Sequence, residues 1–227
     1  MERMVIVGMD IDLKQETRRR IDTFFERQND LCGIKESILL SVRMLADAFA
    51  GGNKLLLCGN GGSCADCDHI AGELLKGFLK KRPISDTLKK ELENRYKDEG
   101  MRIAASLQCG LPAISLCTHS AAISAFANDV DPEYVFAQQV LAYGKKGDIL
   151  LAISTSGNAK NVNAAVKIAK AMGLSAIALT GSIGGQLARN ADLVLAAPSD
   201  ETNRIQEYHL MIYHLLCAAV EEELFDC

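Results

Sequence analysis

A chain of 227 residues is long enough for one sizeable domain with a substantial core, and its 48% apolar content is that of a globular protein. Aromatic residues make up 5% and tryptophan is absent, so the core is expected to be built from Leu, Ile, Val and Ala. The net charge of −4 offers no basic surface for nucleic acid or an anionic membrane, and no apolar run approaches the roughly 20 residues that span a bilayer.

Residues 1–10 have too short an apolar core and no small-residue cleavage site for a signal peptide, so a cytoplasmic location is expected. Residues 11–30 are highly charged, with Ile11, Leu13, Ile21, Phe24 and Phe25 scattered among them, and read as a partly exposed helix. Ile38, Val42, Leu45 and Phe49 then define one helical face, which Gly51 and Gly52 end. These helices read as an arm packed on a partner subunit, with residues 1–34 outside a main domain of 35–227.

A strand–helix alternation follows. Residues 54–58 form a short buried strand, 59–63 a sharp Gly-rich turn, and 64–78 a helix carrying Ile70, Leu74 and Leu75. Residues 84–111 break the rhythm: Leu88, Leu92 and Tyr96 recur every four residues among many charges. They predict an inserted amphipathic helix on the surface or at a subunit contact. Strands are expected at 113–117, 149–154, 175–180 and 193–197, with helices at 159–172, through Ala188, and from about 202 to 225. Continuous apolar strands separated by helices predict an α/β three-layer sandwich, a parallel sheet flanked by helices, with ligands beyond the carboxyl ends of the strands.

Of the eight cysteines, only Cys64 and Cys67 have paired spacing, and no second pair completes a structural zinc site. The thiols therefore read as reduced and incidental. The most informative segment is DILLAISTSGN at 148–158, a buried run that opens into hydroxyls before a helix. Unpartnered first-turn N–H groups, the helix dipole and the Ser154, Thr155 and Ser156 hydroxyls suit a phosphate monoester. No Walker lysine follows, so a nucleotide P-loop is excluded. Asn60, Gly61, Gly62 and Ser63 make a second close-approach loop, whose glycine spacing does not match a dinucleotide fingerprint. His69 and Glu73, at i and i+4, share a helical face and can grip a metal or move protons. Gln206 and His214 lie about 80° and about 12 Å apart on the last helix and can converge on a ligand between them. His209 points elsewhere and reads as structural.

The runs GNGGS at 59–63, DHIAGE at 68–73, Asn128-Asp129, LAISTSGN at 151–158, ALTG at 178–181 and RIQEYH at 204–209 occur in this order. In this the chain resembles the sugar isomerase (SIS) domain of the bacterial phosphoheptose isomerases, over roughly residues 35–225. The resemblance implies an aldose–ketose isomerase that converts sedoheptulose 7-phosphate into D-glycero-D-manno-heptose 7-phosphate through an enediol. It further implies a homotetramer with active sites shared between subunits. His69, Glu73, Gln206 and His214 match zinc ligands, and Glu73 and His214 match the acid/base pair. Ser154, Thr155 and Ser156 match the phosphate loop, the Asn60–Ser63 turn and Gln206 match substrate contacts, and Asn128 and Asp129 a further one. The chain departs from the pattern at Ala159, usually a serine, at Gly77, usually an arginine that Lys76 or Lys80 would replace, and in the insertion. A non-catalytic sugar-phosphate-binding relative of the replication-initiator-associated type is the alternative, as is an isomerase of another phosphosugar. The presence of Glu73 and His214 favours the enzyme.

Overall fold

The computed structural model describes residues 11–226; the first ten residues, read above for a signal peptide, and Cys227 lie outside the described residues. Five strands, β1 (Leu55–Gly59), β2 (Ala113–Ser115), β3 (Ile149–Ser154), β4 (Ser175–Thr180) and β5 (Leu193–Ala196), pair in parallel in the order β2-β1-β3-β4-β5. Register runs Leu55 to Ile149 through Gly59 to Ile153 between the two central strands. The chain leaves β1 toward one edge and β3 toward the other, which makes the gap between their carboxyl ends a topological switch point.

Both faces of the sheet are buried, so the strands carry no polar face, yet their side chains still alternate. Leu55, Leu57, Leu151, Ile153, Ile177 and Leu179 pack into one core with α1 (Gln15–Arg27), α2 (Lys35–Ala50), α3 (Gly62–Leu75) and α9 (Thr202–Leu224). Leu56, Cys58, Leu150, Ala152, Ala176 and Ala178 face the other core, under α6 (Val135–Tyr143), α7 (Lys160–Ala171) and α8 (Gly185–Asn190). The expected three-layer sandwich is thus present.

Two expectations are revised. The N-terminal helices pack on their own chain: Ile21, Phe25, Ile38 and Val42 are buried in the core that α9 completes. Glu222 and Glu223 of α9 reinforce this by pairing with Arg20 and Thr17. Helix α5 (Ser120–Asp129), between β2 and β3, buries no residue. The insertion is α4 (Asp86–Ser106), which breaks at Lys97 (φ 51°, ψ −127°), so that Gly100 folds back onto the Leu92 carbonyl. A bridge between Pro83 and Gln108 closes its base, and Leu88, Tyr96 and Met101 remain exposed.

His209 on α9 is fully buried, and burial pushes its imidazole down to about 4 despite a contact with the Thr180 backbone. It is therefore neutral in the fold but protonated in the unfolded chain below about pH 6.5. Stability present above that pH is lost as the pH falls toward 4. Urea midpoints measured from pH 7.5 to 4.5 should drop along this limb, and His209→Leu should flatten it.

Candidate active site

The Gly-rich turn after β1 launches α3 toward α9, and the two helices cross in contact. On α3, Asp66, His69 and Glu73 fall at i, i+3 and i+7, one face of the helix. On α9 the facing residues are Tyr213 and His214. His69 stands at the centre. Its Nδ1 is 2.9 Å from the Tyr213 hydroxyl, and its Nε2 is 3.2 Å from Glu73 Oε1 and 3.5 Å from His214 Nε2. Two remote segments thus deliver two imidazoles and a carboxylate to one place.

Proton positions follow from the chain of partners. Burial first, and then neighbouring Asp66, push the Tyr213 phenol up, so it keeps its proton. Burial weakens the acidity of Asp66 as well. The Tyr213 hydroxyl, within hydrogen-bond reach of His69 Nδ1, holds the ring with its Nε2 toward Glu73 and His214. Burial also lowers His214, and neighbouring His69 lowers it further, so at neutral pH its ring is uncharged.

Donors bonded to zinc at about 2.0–2.1 Å in a tetrahedron lie about 3.3 Å apart. The 3.2 and 3.5 Å separations at His69 are close to that edge, and imidazole and carboxylate are zinc donors. Among the described residues, however, no group of three or more His, Cys, Asp or Glu is arranged to hold a metal ion. Gln206 stands apart from the three, two turns earlier on α9. A Cβ on Gly62 would lie 2.3 Å from its Nε2, so only glycine there admits this amide at the first turn of α3.

The hydroxyl loop lies beside the switch point. Ser154 is buried at the end of β3, Thr155 is half-buried and Ser156 exposed. The N-cap residue of α7, Ala159, offers no side chain to cap it, and of the first-turn N–H groups that of Val162 is taken by Asn161 Oδ1 at 2.9 Å. Asn60 and Asn161 exchange two amide hydrogen bonds of 2.8 and 2.9 Å, which lock the first substrate loop to the first turn of α7.

The segment after α3 explains two departures. A Cβ at Gly77 would meet the Lys80 carbonyl at 2.3 Å and Gln108 Oε1 at 2.5 Å. Gln108, at the base of the insertion, accepts from the Gly77 N–H at 2.7 Å, so no larger residue fits without a backbone shift. Lys76 lies 3.1 Å from Glu73 Oε2, while Lys80 pairs with Glu222. Glu221, fully buried, accepts from the N–H groups of Phe78, Leu79 and Lys80 and from Arg82 Nε. Burial disfavours its charge, but these donors outweigh burial and lower its pKa. The brace holds the Phe78 ring 5.7 Å from that of His214.

Asn128 and Asp129 lie exposed at the end of α5, bonded to each other and in contact with none of the groups above. Sequence reasoning missed Asp66, Tyr213, Lys76 on Glu73, and Asn161. Asp66 was within reach, since it continues the 69/73 face by one turn; Tyr213 looked like an ordinary core aromatic.

A family model described as the SIS domain matches residues 116–219. The phosphoheptose isomerase of Campylobacter concisus is 40% identical over 210 residues, covering 92% of this chain and 95% of that one. The phosphoheptose isomerase of Aneurinibacillus thermoaerophilus is 38% identical over 202 residues, 85% and 89% of the two chains. Among solved structures, that of the phosphoheptose isomerase of Neisseria gonorrhoeae superposes with a TM-score of 0.70 at 32% identity, over 91% of this chain and 94% of that one. The corresponding structure from Francisella tularensis gives 0.71 at 30% identity, over 91% and 98%.

Tyr213→Phe removes the hydroxyl that orients the His69 ring. We expect turnover to fall about tenfold while stability drops by only about 1–2 kcal/mol, a split that steady-state kinetics and urea unfolding would resolve.

Proposed function

This chain belongs to the phosphoheptose isomerase family, and we propose that it interconverts sedoheptulose 7-phosphate and D-glycero-D-manno-heptose 7-phosphate by aldose–ketose isomerisation. The observation that carries the residue assignment is the meeting of Glu73 and His214 on His69. Isomerisation moves one proton between C1 and C2 through a cis-enediol, and it moves oxygen protons in step. Glu73 is placed as the group that takes the carbon-bound proton and returns it to the neighbouring carbon. Lys76 pairs with it at 3.1 Å. His214, neutral at pH 7, exchanges the proton of the adjacent oxygen. Ser154, Thr155, Ser156 and the start of α7 hold the phosphate, and Asn60, Gly61, Gly62, Ser63 and Gln206 line the sugar's path between them.

Zinc is part of the proposal, held by His69, Glu73 and His214 with Gln206 as a further ligand. When bound it would polarise the carbonyl and stabilise developing negative charge. Its support is the donor spacing at His69. A cytoplasmic homotetramer with shared sites is also proposed. Its support is the exposure of Asn128 and Asp129, which hydrogen-bond to each other and to none of the other site groups. Among the described residues no helix is long and apolar enough to cross a membrane.

Incubation with sedoheptulose 7-phosphate in deuterated water tests the chemistry. The parent should wash solvent deuterium into the C1/C2 position, and Glu73→Gln should lose this by at least about a hundredfold. No exchange in the parent would favour a sugar-phosphate-binding role; unchanged exchange in the variant would remove Glu73 from the reaction. Metal analysis after zinc loading and desalting should find about one ion per site, lost in His214→Ala. A metal-free parent would contradict the zinc assignment.

A further inference from the structure

Among the described residues, the one hydrogen-bond contact of the His214 ring is the 3.5 Å approach of its Nε2 to His69. A contact of that length fixes no orientation, so packing has to do so. Three rings flank the imidazole. Tyr213 and His69 stand nearly perpendicular to it, each at 5.0 Å, whereas Phe78, at 5.7 Å, is inclined by only 32° and lies toward its flat face. Tyr213 is the chain neighbour of His214, and His69 is the group it has to face; Phe78 comes from a separate segment. His214 and Phe78 also line a cavity of about 720 Å³, whose apolar wall includes Phe24, Met211 and Leu215. Beside that space, an imidazole with no ring against its face is free to turn away from His69.

Phe78 can restrain a neighbour only if its own backbone is fixed, yet residues 77–80 belong to no helix or strand. Two side chains supply the missing acceptors. Gln108 Oε1 accepts from the Gly77 N–H at 2.7 Å, and Glu221 accepts from Phe78, Leu79 and Lys80 at 2.8, 2.7 and 3.0 Å. Four consecutive backbone donors are thus held from two sides. Glu221 is paired in turn with buried Arg82, whose Nη1 bonds the Leu74 carbonyl at 2.8 Å and ties the brace back to α3. Gln108 is held along the same segment, because the N–H groups of Cys109 and Leu111 donate to the Arg82 and Leu74 carbonyls.

We propose that Phe78 is a positioning residue: its ring keeps the His214 imidazole turned toward His69, and Gln108 and Glu221 position Phe78 in turn. Phe78 itself handles no proton and binds no substrate. Its neighbours Leu75 and Leu79 are exposed and do not share the task. Because Gln108 closes the base of the insertion, that element bears on the reacting centre even though α4 buries only Gly100.

The effect on turnover rests on the isomerase reading; the placement of the ring does not. The test uses the full-length protein, labelled at its four histidines, as the parent and as Phe78→Ala, Phe78→Tyr, Gln108→Ala and Gln108→Glu. NMR spectra are recorded with a chelator present, so that no metal holds the ring. The His214 signals, identified by their loss in His214→Asn, should show cross-peaks to the His69 ring in the parent and in Phe78→Tyr, and lose them in Phe78→Ala. With sedoheptulose 7-phosphate, kcat of Phe78→Ala should fall on the order of tenfold while KM stays within about twofold, since the phosphate end is untouched. Phe78→Tyr, which keeps the ring, should restore turnover. Gln108→Ala should move kcat the same way by a smaller factor, and Gln108→Glu, which keeps the acceptor, should recover it. A role in stability alone would lower the urea midpoint but leave the cross-peaks and the turnover per folded enzyme unchanged, and that result overturns the proposal. Lost cross-peaks with an unchanged kcat would overturn the claim on turnover. If the cross-peaks respond as expected in a protein whose parent isomerises no phosphosugar, the positioning stands and it is the isomerase reading that fails.

Discussion

The 2.9 Å contact between the Tyr213 hydroxyl and His69 Nδ1 joins the second and the last segments of the site, 144 residues apart in the chain. Tyr213 can hold that position because α9 is core on nearly every side: Ile212, Leu216, Ala219 and Val220 are buried with it. The anchoring helix is therefore fixed by the hydrophobic effect, and the polar contact only has to orient a ring. Tyr213 in turn dictates which nitrogen of His69 faces Glu73 and His214. A site built this way needs the whole core in order to orient one ring.

Around this centre the fold assigns separate tasks to separate places. The switch point between β1 and β3 sets two loops side by side, and the paired amides of Asn60 and Asn161 keep them in register. In the function proposed above, the anion end would rely on backbone and hydroxyl donors near the start of α7, and the reacting end on α3 and α9. Between α3 and β2, the chain turns through a segment whose backbone donors converge on Glu221, a carboxylate sealed in with Arg82. A buried ion pair of this kind is weak evidence for stability, since its desolvation cost rivals its attraction. Its visible consequence is positional: it fixes Phe78 against His214 and leaves no room for a side chain at Gly77.

Much of this was legible in the residues. The continuous apolar strands gave the parallel sheet because burial on both faces removes the polar alternation that a half-exposed strand would show. His69 and Glu73 declared themselves by helical spacing, and the hydroxyl loop by its place after a buried run. Two things were hidden. Helix α5 buries no residue and so leaves no stripe. Tyr213 is indistinguishable in sequence from any core aromatic, because its function lies in one hydroxyl contact across the fold. The N-terminal helices, read as an arm for a partner subunit, also pack on their own chain, where Lys14, Thr17 and Arg20 meet acidic groups at the end of α9.

The account stands on one substrate reaching both the anion cradle and the His69 centre. A crystal structure of the Glu73→Gln enzyme with sedoheptulose 7-phosphate bound would show this directly. The phosphate should sit among Ser154, Thr155 and Ser156 at the start of α7. C1 and C2 should lie about 3–3.5 Å from the side chain at position 73, with His214 on the adjacent oxygen, within one subunit or across a subunit contact. A sugar held with its reacting carbons remote from both helices would contradict the account.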